Sequence, residues 1–304
     1  MKVAIVGGAG RVGINFAISL FLSGYAREIV LVDVLTDVAD GEALDLRHAT
    51  SLVGNVTFDS GDISKVAGAD IVVITAGSRR KPDQSRLDLI RVNVGILDET
   101  IEGIVKYAPG AMIFVVSNPV DVLTYRALVK SGVSRTKVFG LGNVLDMVRF
   151  RSLLAAKFGW NPLDVNAYIV GEHGDAMVPL WSQASYGGIL FRCLRSVSMS
   201  DIEAVFEETK KSGAEVIRKK GGAGWAVGIS ITEVVKAIAT DSKAVLPIST
   251  DPDGKYGISG IALSLPTVVG KSGVEGYLDF EIEAAEMDGL AKAAQVLKET
   301  YDTI

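Results

Sequence analysis

Lys2-Val3-Ala4-Ile5-Val6-Gly7-Gly8-Ala9-Gly10-Arg11-Val12-Gly13 is the stretch on which the reading of this chain turns. Its apolar start, bounded by glycine, reads as a buried strand. Gly8, Gly10 and Gly13 then follow the G-x-G-x-x-G spacing where a strand should give way to a helix, with Arg11 and Val12 inside the loop. Glycines there permit a tight turn and let backbone N–H groups approach a pyrophosphate, whose charge the helix N-terminus favours. Alone the pattern is weak, because such turns are rich in glycine for steric reasons too. Asp33 changes the weighting. It ends the apolar run Glu28-Ile29-Val30-Leu31-Val32 about twenty residues beyond Gly13, where a carboxylate accepts hydrogen bonds from both hydroxyls of an adenosine ribose. The same charge repels a 2'-phosphate, and no Arg or Lys in residues 34–40 compensates, so NAD is expected rather than NADP. A helix cap is the plain alternative for Asp33.

Working outward, short β-rich runs alternate with longer helical patterns. Lys2 to Val6, Glu28 to Val32, Ile71 to Thr75 and Met112 to Val116 read as strands, and Val12 to Leu22, Leu87 to Tyr107 and Val120 to Lys130 as crossover helices. That alternation predicts an α/β chain with an N-terminal Rossmann-type, doubly wound parallel sheet. After about Leu141 the pattern changes: helical Leu145 to Lys157, strand-like Val165 to Val170, helical Asp201 to Lys219, hairpin-like segments from Ala244 to Leu278, and a final helix. We expect residues 1–142 to form an NAD-binding domain and residues 143–304 a mixed α+β substrate lobe. No repeat or Pro/Ser-rich linker separates them.

The 304 residues, 48% of them hydrophobic, supply ample material for two lobes. With 31 Lys+Arg against 36 Asp+Glu and no basic stripe, nucleic acid is not an expected partner. A single cysteine, Cys193, reads as packing and excludes an internal disulfide; with only His48 and His173, no metal-ligand cluster is expected. Neither a signal-peptide pattern nor a membrane-length apolar run is expected, and a reducing cytoplasm fits best.

His173 follows an apolar run in Gly171-Glu172-His173-Gly174-Asp175, where flanking glycines leave the imidazole little steric cover. A lone histidine is usually structural. Asp146, near the start of a predicted helix, could orient it and raise its pKa by favouring imidazolium.

Taken together, the glycine loop, Thr75-Ala76-Gly77, Arg80-Lys81-Pro82, Ser117-Asn118-Pro119, Leu145-Asp146-Met147-Val148-Arg149 and Gly171-Glu172-His173-Gly174-Asp175 resemble the malate/lactate dehydrogenase family, in family order and over nearly the whole chain. The resemblance implies that His173 exchanges a proton with the substrate oxygen while Asp146 holds its tautomer, and that Arg149 clamps the substrate C1 carboxylate. It also implies that Arg86 polarises the reacting carbonyl, that Asn118 bonds substrate oxygen beside the nicotinamide, and that Asn93, Val116, Thr75, Ala76 and Gly77 contact the cofactor. The Asn118–Pro119 bond is a candidate for cis.

Arg80 decides the expected substrate. Oxaloacetate carries a second carboxylate where pyruvate has a methyl, and lactate enzymes of this kind typically place Gln at that position. The expectation is therefore an NAD-dependent malate dehydrogenase of the lactate-dehydrogenase-like subgroup, placed in the tricarboxylic acid cycle, with a lactate or broad 2-hydroxy acid dehydrogenase as the alternative and a non-enzymatic NAD-binding sensor as a remote one. Two departures bear on it: Asp83 stands where the family loop usually has Gly, and Ala223 where a pocket hydroxyl is usual. Trp225-Ala226-Val227-Gly228 looks more like the lactate branch. A homo-oligomer is implied, tetramer rather than dimer.

Overall fold

A computed structural model describes residues 1–78 and 86–304, the side chain at 86 excepted. The first half runs β1 (Lys2–Val6), α1 (Arg11–Ser23), β2 (Glu28–Val32), α2 (Thr36–His48), the single turn α3 (Thr50–Val53), β3 (Thr57–Gly61), β4 (Ile71–Ile74), α4 (Arg86–Tyr107), β5 (Met112–Val115), α5 (Val120–Ser131) and β6 (Val138–Gly140). These strands lie in parallel in the order β3-β2-β1-β4-β5-β6. The order reverses between β1 and β4, and a doubly wound sheet binds its ligand beyond the strand ends at that switch point.

The second half runs α6 (Val144–Phe158), β7 (Val165–Asn166), β8 (Ile169–Gly171), β9 (Met177–Pro179), β10 (Ser185–Tyr186), β11 (Ile189–Leu190), α7 (Met199–Lys220), α8 (Trp225–Ala239), β12 (Ala244–Thr250), β13 (Leu263–Gly270), β14 (Gly273–Tyr277) and α9 (Ala284–Tyr301). It is an antiparallel α/β lobe, and its sheet is continuous with the first: β12 meets β6 through the Ser249–Gly140 pair. Among the described residues no helix is long and apolar enough to cross a membrane.

The run Val165 to Val170, read as one strand, is two. β7 pairs β10 in a small sheet, whereas β8 pairs β13 and β9 in the large one. Between them the Ala167 carbonyl accepts from Arg151 Nε at 3.0 Å instead of from a neighbouring strand, and Tyr168 donates its hydroxyl to Val245 O. Helices α2 and α8 escaped the apolar pattern for opposite reasons. α2 buries only Ala39 and Ala43, while α8 buries nine of its fifteen residues and so has no single apolar face.

α8 is what ties the halves together. Its Val227, Ile231, Val234, Val235 and Ile238 join β1, α1 and β2 residues in one core, each buried side chain contributing roughly 1.5–3 kcal/mol. The α1–α8 approach depends on Gly228, where a Cβ would lie 2.7 Å from the Asn15 carbonyl carbon and 2.8 Å from Phe16 N. Both obstacles are backbone, so they cannot swing aside. Gly228→Ala is therefore expected to destabilise the chain by about 1–3 kcal/mol, read as a Tm several degrees lower in thermal melts.

Candidate active site

The dinucleotide loop is built by exclusion of side chains. Gly7 has φ +86°, and a Cβ on it would lie 2.5 Å from Ala76 N; a Cβ on Gly13 would lie 2.3 Å from Gly7 O. The N–H groups of Gly7 and Gly8 both donate to Val32 O, and Gly10 N–H to Gly7 O. α1 then starts without a side-chain cap and without an acidic residue in its first turn. An uncapped helix start with a backbone cradle suits a pyrophosphate. Asp33 completes it: one carboxylate oxygen accepts from Ala9 N–H and the other from Leu35 N–H, both at 3.0 Å. The carboxylate thus locks the loop to the end of β2 while keeping lone pairs for ribose hydroxyls.

Several expected cofactor contacts turn out to hold the cradle itself. The Thr75 hydroxyl lies on the carbonyls of Val6 and Gly7, at 3.0 and 3.1 Å. Asn93, on α4 and buried, accepts from Ser78 N–H and donates to Ser78 O and Asn118 O. It braces the loops after β4 and β5, and a Cβ on Gly77 would stand 3.5 Å from its amide oxygen. Asn118, two residues before the start of α5, accepts from Val120 N–H at 3.2 Å, and its bond to Pro119 is cis. Val116, half-buried, packs against the core, as does Ala223. Arg11 does something its motif position does not announce: its guanidinium donates to Lys220 O at 2.8 Å and Gly222 O at 2.9 Å, joining the loop to the far end of α7. Val12 also packs on that shared core.

His173 and Asp146 do meet. Asp146 lies in the first turn of α6, 1% exposed, and its Oδ2 is 2.5 Å from His173 Nδ1. Arg149, one turn on, donates to the other oxygen at 3.1 Å. Charge-assisted bonds of this kind are the strong ones. A carboxylate accepting at Nδ1 places the proton there and leaves Nε2 to exchange one with a ligand. Burial works to raise the Asp146 pKa, but the charges of His173 and Arg149 hold the carboxyl below its ordinary range. For His173, burial favours neutral imidazole; Asp146 first, then Asp121, outweigh it, raising the pKa to about 8.

Two residues outside the sequence reading hold this pair in place. Asn143, wholly buried, receives α6 from β12 and β13 by donating its N–H to Pro247 O and Ser264 Oγ, while its side-chain amide donates to Gly171 O. It is a strut between the start of α6 and the end of β8. Asp121, from the first turn of α5, accepts the His173 backbone N–H at 2.7 Å. Only its Asn-Pro-Val-Asp position, a short buried carboxylate after a helix start, could have drawn attention to it. Arg80, Asp83 and the Arg86 side chain lie outside the described residues, although α4 begins at Arg86.

A glycine cradle closed by a carboxylate stands at one switch point, and a buried carboxylate forked between imidazole and guanidinium stands beyond it. Family models cover both halves: lactate/malate dehydrogenase, NAD binding domain, over residues 1–140, and lactate/malate dehydrogenase, alpha/beta C-terminal domain, over residues 143–304. The chain belongs to the lactate/malate dehydrogenase family. NAD is its cofactor. An L-lactate dehydrogenase of Clostridium botulinum is 40% identical over 99% of this chain and 96% of its own, and one of Gloeobacter violaceus 38% identical over 100% and 93%. The solved minor L-lactate dehydrogenase of Enterococcus mundtii superposes with a TM-score of 0.95 at 35% identity, covering 100% of this chain and 98% of its own.

These relatives overturn the expected malate dehydrogenase, and with it the placement in the tricarboxylic acid cycle. The malate reading rested on the charge of Arg80, a single position outside the described residues, whereas the likeness to L-lactate dehydrogenases runs over the full length.

With only two histidines, an NMR titration of the imidazole protons reads the pair directly. The resonance removed by His173→Asn should titrate near pH 8 in the wild type. Asp146→Asn should move it to lower pH, because the main counter-charge to burial is then lost.

Proposed function

We propose that this chain is an NAD-dependent 2-hydroxy acid dehydrogenase that interconverts L-lactate and pyruvate. The observation that carries the chemistry is the Asp146 carboxylate shared between His173 Nδ1 and Arg149. The relatives named L-lactate dehydrogenase support the substrate. A relaxed range of 2-hydroxy acids is the second reading, favoured by Ala223, which gives the wall a methyl in place of a hydroxyl.

Bound NAD supplies the hydride acceptor for lactate oxidation, and its reduced form the donor for pyruvate reduction. The chain's own residues do the rest. Arg149 grips the C1 carboxylate, since a planar guanidinium fixes distance and rotation with two parallel N–H bonds. His173 gives up the Nε2 proton to the carbonyl oxygen as pyruvate is reduced and takes it back from the hydroxyl of lactate. Asp146 stabilises the imidazolium and keeps the ring oriented. Arg86 polarises the carbonyl, and Asn118 bonds the same oxygen. Gly8, Gly10, Arg11, Val12 and Gly13 form the pyrophosphate cradle with Asp33 at the ribose, and Thr75, Ala76, Gly77, Asn93 and Val116 shape the remaining cofactor wall. Arg80, expected at the substrate, lies outside the described residues.

We further infer a division into residues 1–142 and 143–304, a cytoplasmic location and a homo-oligomer, tetramer rather than dimer. The lone Cys193 supports the location, and exposed Trp225 and Ile229 on α8 support association.

Initial rates with pyruvate and oxaloacetate, each with NADH and NADPH, test the reading. The highest kcat/KM is expected for pyruvate with NADH; a higher value for oxaloacetate overturns the lactate assignment, and Asp33→Ala should narrow the gap between the two cofactors. Pyruvate reduction needs imidazolium and lactate oxidation needs imidazole. Reduction should therefore fall, and oxidation rise, as pH increases through about 8. His173→Asn should lower kcat by about 10²–10⁴-fold while sparing NADH binding, measured by quenching or calorimetry.

A further inference from the structure

Asp121 is a buried carboxylate that the chemistry above leaves without a task. It sits in the first turn of α5, 3% exposed. One oxygen accepts the His173 backbone N–H at 2.7 Å. The other makes no hydrogen bond among the described residues, although the Ser249 hydroxyl from β12 lies alongside. A half-satisfied buried carboxylate is costly to keep, and an amide of the same shape would accept the same backbone bond. The main-chain contact alone therefore does not account for a charge at this position.

We propose that Asp121 is a second positioning residue for the acid/base histidine: it anchors the His173 main chain and places a second negative charge beside the backbone that carries the imidazole. The inference rests on the assignment of His173 as the proton-transferring group. Asp146, from α6, holds the ring; Asp121, from α5, holds the backbone that carries it. The two helices belong to opposite sides of the β6–α6 junction, so the ring's place is set from both halves of the chain.

The charged groups around the pair bear this out in direction. Around His173 stand Asp146 and Arg149 from α6 and Asp121 from α5; the two carboxylates favour imidazolium and the guanidinium opposes it. Around Asp121 stand His173 and Glu172 from the loop after β8 and Ser249 from β12, with Tyr125 on its own helix and Tyr301 on α9 lining the same cleft. Burial pushes the Asp121 carboxyl up to about 6, against the Ser249 hydroxyl and His173.

Asp121→Asn separates charge from shape, because the amide oxygen can still accept from His173 N–H. In the NMR titration the His173 resonance should move to lower pH, by less than in Asp146→Asn. The fall of pyruvate kcat/KM with rising pH should move by the same amount. An unshifted resonance and profile in a folded, active Asp121→Asn protein overturns the inference and leaves the reaction untouched. Retained turnover in His173→Asn instead overturns the assignment on which it rests, so the two failures are distinguishable. Thermal melts establish folding; should Asp121→Asn not fold, Asp121→Ser, which gives up the charge within a smaller volume, should move the His173 resonance in the same direction, and no movement there overturns the inference equally.

Discussion

A carboxylate taken almost wholly out of water must be matched by positive charge, and in this chain the requirement falls on Asp146. One oxygen faces the imidazole of His173 and the other the guanidinium of Arg149. Leaving such a buried charge uncompensated costs about 3–5 kcal/mol, so its two partners are fixed by the same constraint that permits the carboxylate to be buried. The start of α6 favours the negative charge as well, through the helix dipole. The arrangement of the candidate site, an imidazole at one point and a planar cation at another, follows from this fork.

The fork in turn requires that α6 and the loop after β8 arrive together. Gly142, with φ +53°, makes the approach possible, since a Cβ there would lie 2.3 Å from Ser264 Oγ and 2.5 Å from Ser249 N. Asn143 then ties the start of α6 to β12, β13 and β8. Every one of these partners lies in the second lobe, yet the helix they seat is entered directly from β6 of the first. The lobes share a sheet and a core rather than meeting across a cleft, and the Arg11 guanidinium adds a polar tie from the dinucleotide loop to the carbonyls of Lys220 and Gly222. Cofactor cradle and substrate wall are thereby parts of one packed body.

Asn93 and Thr75 illustrate how such a body is braced. Both stand where a cofactor contact was expected, and both spend their polar atoms on backbone groups of neighbouring loops. A cradle that reads ligand through backbone N–H groups needs side chains to hold the backbone still. Asp33 serves both ends, bonding the loop while presenting its charge at the tip of β2.

Local pattern determined a good deal by itself. Strands β1, β2, β4 and β5 of the parallel half were legible because they are buried on both faces and read as unbroken apolar runs, with glycines marking the turn beside Asp33; part-exposed β3, Thr57-Phe58-Asp59-Ser60-Gly61, and three-residue β6 were not. The candidacy of His173, Asp146 and Arg149 was legible because their motifs are contiguous and their chemistry is specific. Tertiary structure alone decided the rest. Val165 to Val170 is mostly apolar, broken by exposed Asn166, and it divides between two sheets where Arg151 takes the Ala167 carbonyl, a contact from outside the segment that no local period records. Asp121 and Asn143 read as an ordinary helix-start acid and a turn residue, and become struts only when β8, β12 and β13 bring His173 and Gly171 to them. Local periodicity reports which side of an element is buried; which buried polar group faces which is settled by packing, because each must find its partner within about 3 Å or be left unsatisfied.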